Sequence, residues 1–208
     1  MKRALVLLFA LAVVGGVAGL YLYVTPGRIV KTAIGQIGSA LAETAVSVDH
    51  VEMTPETGAG VMRGLHIANP AGYGGGDVIR FDEVTLTFDA ATVGADPVVI
   101  RSMVIDRPYI AFDHGDGGDN LAVISDTVAS HAGENGGAAP GITPKLVIEE
   151  LVLMNGIVRL GPAGGREADL PTIRISAIGT PGTGATPAEV ALAVLQSLRT
   201  ASEDAADK

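Results

Sequence analysis

Apolar and polar residues alternate along much of this chain, most plainly at Val84–Phe88. There Val84, Leu86 and Phe88 are separated by Thr85 and Thr87 and flanked by Glu83 and Asp89. A period of two marks a strand with one buried face. Val98–Phe112 is strand-like for longer and rich in Val and Ile, and Gly94, Asp96 and Pro97 supply the turn between the two. Val78–Leu121 therefore predicts a long hairpin. Its apolar face comprises Val84, Leu86 and Phe88 and, opposite them, Val98, Ile100 and Val104. Upstream, strands are predicted over Val46–Met53 and Val61–Ala68, with a turn at Pro55–Gly60. Downstream come a short helix over Leu121–Ser130, an aperiodic stretch at Gly133–Thr143, and strands at Lys145–Met154 and Ile157–Leu160. Asn155-Gly156 between these two is a strong turn signal for a hairpin, and a single strand bulged at the Gly is the alternative. Leu170–Ile178 is the last predicted strand.

Helical patterns lie at the two ends. Ala4–Val24 carries no charge. At 1.5 Å per residue it makes about 31 Å of helix, enough to cross a bilayer core of roughly 30 Å. Lys2 and Arg3 favour a cytoplasmic N-terminus, and Tyr21 and Tyr23 sit where interfacial aromatics are expected. A cleaved signal peptide is the alternative, but its apolar region is usually shorter. After the break at Pro26-Gly27, Ile29, Val30, Ala33, Ile34, Ile37 and Leu41 fall on one helical face, with Thr25 placed to cap it. Near the C-terminus, Thr186-Pro187-Ala188-Glu189 is a capping box ahead of a stripe of Val190, Ala191, Val194, Leu195 and Leu198. The chain thus divides into a membrane helix at 1–24, an amphipathic helix at 25–44, a sheet domain at 45–180 with a flexible insert at 131–144, and a capped helix with an acidic tail at 181–208. Six or seven successive strands with helices at the ends predict an α+β domain built on a mostly antiparallel meander.

Charge narrows the partners. Without Lys2 and Arg3, 12 basic residues face all 23 acidic ones, a balance of −11. Nucleic-acid binding and a polybasic hold on anionic lipid both need the opposite sign. With no Cys in the chain, disulfides, thiolate metal sites and thiol catalysis are excluded.

No catalytic or cofactor motif emerges. His50, His66, His114 and His131 are scattered, without metal-ligand spacing. Asp113–Asn120 (DHGDGGDN) lacks the ligand spacing and closing Glu of a calcium loop and reads as a solvated turn. Gly72–Gly76 (GYGGG) precedes a strand and has no following Lys-Ser/Thr, so it is no phosphate loop. Glu149-Glu150, adjacent in a strand, are expected on opposite faces. The expectation is a non-enzyme with no cofactor and no metal.

Four short stretches, in order, carry a resemblance. Gly64–Tyr73 (GLHIANPAGY) has an apolar strand ending in Asn69-Pro70 with Gly72 before an aromatic. Val99–Ile110 (VIRSMVIDRPYI) ends in Pro108 and Ile110, Asn120-Leu121 follows one loop later, and Ile148–Leu160 (IEELVLMNGIVRL) holds Asn155-Gly156 before a new strand. Together with the N-terminal anchor, these resemble the AsmA family of bacterial envelope proteins over roughly residues 1–160. Family members are usually several times longer, and the C-terminal helix has no assigned counterpart in the family pattern.

The resemblance implies a groove-like curved sheet, anchored in the bacterial inner membrane by a single pass, with its main domain periplasmic. It also implies phospholipid binding or transport in envelope homeostasis and outer-membrane assembly. On that reading Val84, Leu86, Phe88, Val98, Ile100 and Val104 face lipid. The competing expectation is an adaptor whose sheet is sealed by its own helices and which acts through an envelope protein partner or by edge-to-edge self-association. Apolar sheet faces need a cover, and the two readings differ in what supplies it.

Overall fold

The alternating stretches do become strands, and three helices lie beside them among the described residues. The computed structural model describes residues 26–207 apart from 55, 94, 116 and 136–144, and the side chains of 26–30, 33, 37 and 132–135 also fall outside that description. The predicted membrane segment and its Thr25 cap lie outside the described residues. In chain order the elements are α1 (Pro26–Ala42), β1 (Val46–Thr54), β2 (Ala59–Ala68), β3 (Asp77–Phe88) and β4 (Val98–Phe112). Then come β5 (His114–Gly115), β6 (Gly118–Asp119), α2 (Asn120–Asn135), β7 (Leu146–Met154) and β8 (Ile157–Leu160). The last are β9 (Arg166–Asp169), β10 (Ile173–Ile178) and α3 (Pro187–Ala206). The chain is α+β, with a mixed, mostly antiparallel eight-stranded sheet among the described residues.

Two features depart from the expected meander. First, β4 and β7 run parallel, because α2 carries the chain back to the same end of the sheet. Second, Asn155-Gly156 makes no hairpin. β7 and β8 both pair with β4 in parallel at one constant register, Val98 with Leu146 and Phe112 with Leu160. They are one interrupted strand, as in the alternative reading, but without an extra residue. β9 and β10 likewise continue a single antiparallel register along it, Asp169 with Ile157 and Ile173 with Leu153. The eight strands therefore form six rows. The short β9 was not legible in the sequence.

The period of two slips at matching places in every row from β1 to β7–β8. Buried positions step by three from Val48 to Val51, Met62 to Leu65, Phe81 to Val84, Ile105 to Pro108 and Leu153 to Gly156. The residues inside these steps, Asp49, Gly64, Asp82, Arg107 and Asn155, lie at one register across the sheet, and the pairing skips each of them. Gly64, Arg107 and Asn155 have φ of 62°, 50° and 57°. A left-handed residue reverses the facing of the residues after it, and because neighbouring rows slip together the hydrogen-bonding continues on both sides. A second slip takes Ile100 to Met103 and Ile148 to Leu151. It coincides with the register shift between β3 and β4 at Thr87/Phe88.

These slips overturn two expectations. Val104 does not share a face with Val98 and Ile100; Met103 and Ile105 take the core positions, at 4% and 1% exposure. Glu149 and Glu150 do not straddle the sheet, since both are exposed.

Candidate functional site

The apolar face assigned to lipid is closed. Val84, Leu86, Phe88, Val98 and Ile100 are between 0% and 3% exposed and belong to one core with α2 and α3 residues such as Leu121, Ile124, Val194 and Leu198. On α1 the stripe is represented by Ile34 and Leu41, both buried. The capping box of α3 forms as the sequence predicts: Glu189 N–H donates to Thr186 Oγ1 at 3.2 Å, and Thr186 N–H donates to Glu189 Oε2 at 2.6 Å. Among the described residues there is an apolar crevice lined by Gly38, Leu41, Ala42, Val46, Ile67, Ile124, Val128, Ala191 and Leu195, with about 20 Å³ free. That is enough for roughly one water-sized sphere.

The opposite face is a lattice of charges. Arg63 reaches Glu83 at 2.8 Å, Arg101 reaches Asp89 at 2.8 Å, Arg107 reaches Asp82 at 3.0 Å and Arg174 reaches Glu150 at 3.0 Å. These exposed cross-strand pairs contribute little individually, yet they keep that face wet. The Arg101 hydrogen bond, helped by the Ala91 N–H, holds the Asp89 carboxyl below the ordinary carboxylate range.

The motif positions converge on two places. Asn120 is fully buried. Its Nδ2 donates to Asn69 Oδ1 at 2.8 Å and to the Ala111 carbonyl at 2.6 Å, and its Oδ1 accepts from Asp113 N–H at 3.1 Å. Asn69 Nδ2 in turn donates to the Gly74 carbonyl at 2.8 Å, closing the loop that contains Gly72. Pro70 is buried, and Ile110 and Leu121 are fully buried beside this knot. At the first slip, Asn155 Nδ2 donates to Asp106 Oδ1 at 2.7 Å. Gly156 there packs so closely that a Cβ would lie 2.8 Å from Pro108 Cγ.

Two ion pairs that sequence reasoning missed complete the knot. Asp113 and Asp119, expected in a solvated turn, are 6% and 5% exposed. Asp113 meets Arg159 at 3.2 Å, and Asp119 meets Arg199 at 2.9 Å. Asp119 Oδ1 also accepts from Ala122 N–H at 2.7 Å, capping α2. An Asp ahead of the apolar periodicity of Leu121–Val128 was the available signal. Burial works against the Arg159 charge, but hydrogen bonds to Asp113 and Tyr109 outweigh it and raise its pKa. Every Asn120 side-chain polar group is satisfied, and the knot ties the end of β2, β4, β8, α2 and α3 together.

His66 places Nδ1 at 2.8 Å from Asp77 and Nε2 at 3.7 Å from Asp49, so its two nitrogens face different carboxylates. Among the described residues, no group of three or more His, Cys, Asp or Glu is placed to hold a metal ion. No helix among them is long and apolar enough to cross a membrane. No protein-family model matches the chain, and no curated protein matches it.

Proposed function

We propose that this chain is an AsmA-like, membrane-tethered and non-catalytic domain of the bacterial envelope, acting as an adaptor through protein contacts. Its N-terminus is cytoplasmic and its sheet periplasmic. One observation carries the adaptor reading: the side chains that would line a lipid groove are already covered by the protein's own core, with Leu86 and Phe88 each 3% exposed. Size supports it. Six rows spaced about 4.8 Å apart measure roughly 24 Å across, too little for one copy by itself to conduct lipid between two membranes.

A second reading, phospholipid handling, draws support from the wholly apolar crevice between α1, α2 and α3. It requires those helices to part, since an acyl chain exceeds the room present.

Leu86→Asp separates the two. In a sealed core a carboxylate lacks water and a partner, a burial penalty of several kcal/mol, so the variant unfolds. In an open groove the variant folds and loses lipid. The assay is native mass spectrometry of the full chain extracted gently from membranes, with lipid analysis of what co-purifies and circular dichroism of the variant. A folded Leu86→Asp protein, or stoichiometric lipid on the wild type, would overturn the adaptor reading.

A further inference from the structure

The two edges of the sheet are finished differently. At β1, α1 caps the outward backbone: Val46 N–H donates to Ser39 Oγ at 2.9 Å, and Lys31 Nζ donates to the Asp49 carbonyl at 2.7 Å. Gly38 lies so close over Val46 that a Cβ there would meet Val46 Cγ1 at 2.7 Å. A strand docking along Val46–Asp49 would have to displace these contacts. At the other edge, β10 pairs with β7 on one side and, among the described residues, has no strand or capping side chain on the other. Ile173 and Ile175 on its helix-facing side are only half-buried. Unpaired strand edges are templates for another strand, and proteins commonly blunt the ones they do not use.

Resting on the adaptor reading, we infer that the β10 edge at Ile173–Ser176, the regular run before the left-handed Ala177 (φ 55°), is an interface at which a second copy of this chain pairs antiparallel about a two-fold axis through Ile175. Three observations select this occupant and geometry. Head-to-tail addition of β10 to β1 would displace the α1 contacts at Val46 and Asp49, which favours an isologous contact that closes as a dimer. Pairing about Ile175 sets Ile175 against Ile175 and completes the cover of both half-buried side chains. It also sets Arg174 against Ser176, avoiding like charges directly opposite each other, and Arg174 keeps its own counter-ion, Glu150, at 3.0 Å. The pairing joins the two sheets into one of twelve rows, with the charged faces on the same side.

The absence of cysteine from the sequence makes the test clean. Ile175→Cys and, as a β1-edge control, Ser47→Cys are each introduced into the full chain in mild detergent, oxidised, and run on a non-reducing gel. The expected result is a disulfide dimer for Ile175→Cys and none for Ser47→Cys, with native mass spectrometry of the wild type showing a doubled mass. Ser176→Pro, verified as folded by circular dichroism, is expected to lose that doubling. A monomeric wild type, a cross-link at Ser47 alone, or a Ser176→Pro dimer undiminished from wild type would overturn the inference; the first leaves the edge to a strand from another protein. Lipid retention is a separate readout, so failure of the dimer and failure of the adaptor reading are told apart.

Discussion

Asn120→Leu is the sharpest test of what the knot does. Leucine keeps the branched shape of the side chain, with bulkier methyl groups, and excludes water, so the chief loss is hydrogen bonding. Asn120 serves two backbone groups in the interior, the Ala111 carbonyl at 2.6 Å and the Asp113 N–H at 3.1 Å, and reaches Asn69 at 2.8 Å. Orphaning a buried polar group costs about 1–3 kcal/mol. Two such groups give about 2–6 kcal/mol, and the extra apolar contact of Leu offsets only part of it. Against a typical domain stability of about 5–15 kcal/mol that is a large share. The midpoint of thermal unfolding should fall by roughly 10 °C, at about 2–4 °C per kcal/mol for a chain of this size. Urea unfolding of the full chain, followed by circular dichroism, reads the difference directly. Thr85→Ala on the exposed face is the control and should stay within about 0.5 kcal/mol. Asn120→Ala opens space for a water to bridge the orphans, so it should cost less than Asn120→Leu despite removing more atoms. A Leu variant within about 1 kcal/mol of wild type, below the cost of even one orphaned group, or one more stable than the Ala variant, would refute the reasoning.

Other sites give independent checks. Arg159→Met leaves the Asp113 carboxylate, 6% exposed, without its counter-ion; the loss should be about 2–4 kcal/mol, near the lower end of what breaking a buried pair costs. Adding Asp113→Asn should restore part of it in a double-mutant cycle. Gly156→Ala drives a methyl into Pro108 Cγ at 2.8 Å and Leu170 at 3.1 Å, an overpacking cost of about 1–3 kcal/mol readable in the same urea titration. Asp89 has its folded pKa lowered by Arg101, so its contribution is fully present above the unfolded pKa of about 3.9 and is lost as pH falls through the folded value. Arg101→Ala should move the Asp89 carboxyl titration, followed by carbon NMR, to higher pH; an unchanged midpoint refutes the assignment.

The hairpin β3–β4 and the capped helix α3 were legible because local chemistry dictates them. The capping box fixes one end of α3, and Val84–Phe88 repeats cleanly within the space between two slips. Val104 was misplaced because period-two reasoning assumes an unbroken strand, and the break at Arg101-Ser102 is a property of pairing with neighbouring rows. Arg107 shows the same limit: a left-handed arginine carries no local signature, and what holds it is Asp82 at 3.0 Å on the neighbouring strand. Asn155-Gly156 had a real signature, but the preference of Asn for positive φ serves a hairpin and an interrupted strand equally. The parallel register with β4 decided between them, and it joins residues as distant in sequence as Val98 and Leu146. Arg159 and Arg199 were invisible for the same reason, since their carboxylate partners lie 46 and 80 residues away.

The aligned slips bear on what kind of partner such a sheet can take. If one row slipped alone, its apolar residues would turn to the wet face and open a patch there. Because β1, β2, β3, β4 and the β7–β8 row slip at one register, each face keeps its character across these rows: one side a continuous core, the other charged pairs around a short strip of Val99, Val104, Val147 and Val152. A continuous apolar face must be covered everywhere, and α1, α2 and α3 lie against it, with Ile34, Ile124 and Leu198 at 0–2% exposure. With the apolar face covered, the rim is where backbone pairing with another strand can form. There α1 closes β1 with Ser39 and Lys31, while nothing among the described residues closes β10. The position of the free edge thus follows from where the first helix lies, and it leaves β10 as the rim strand open to a further strand.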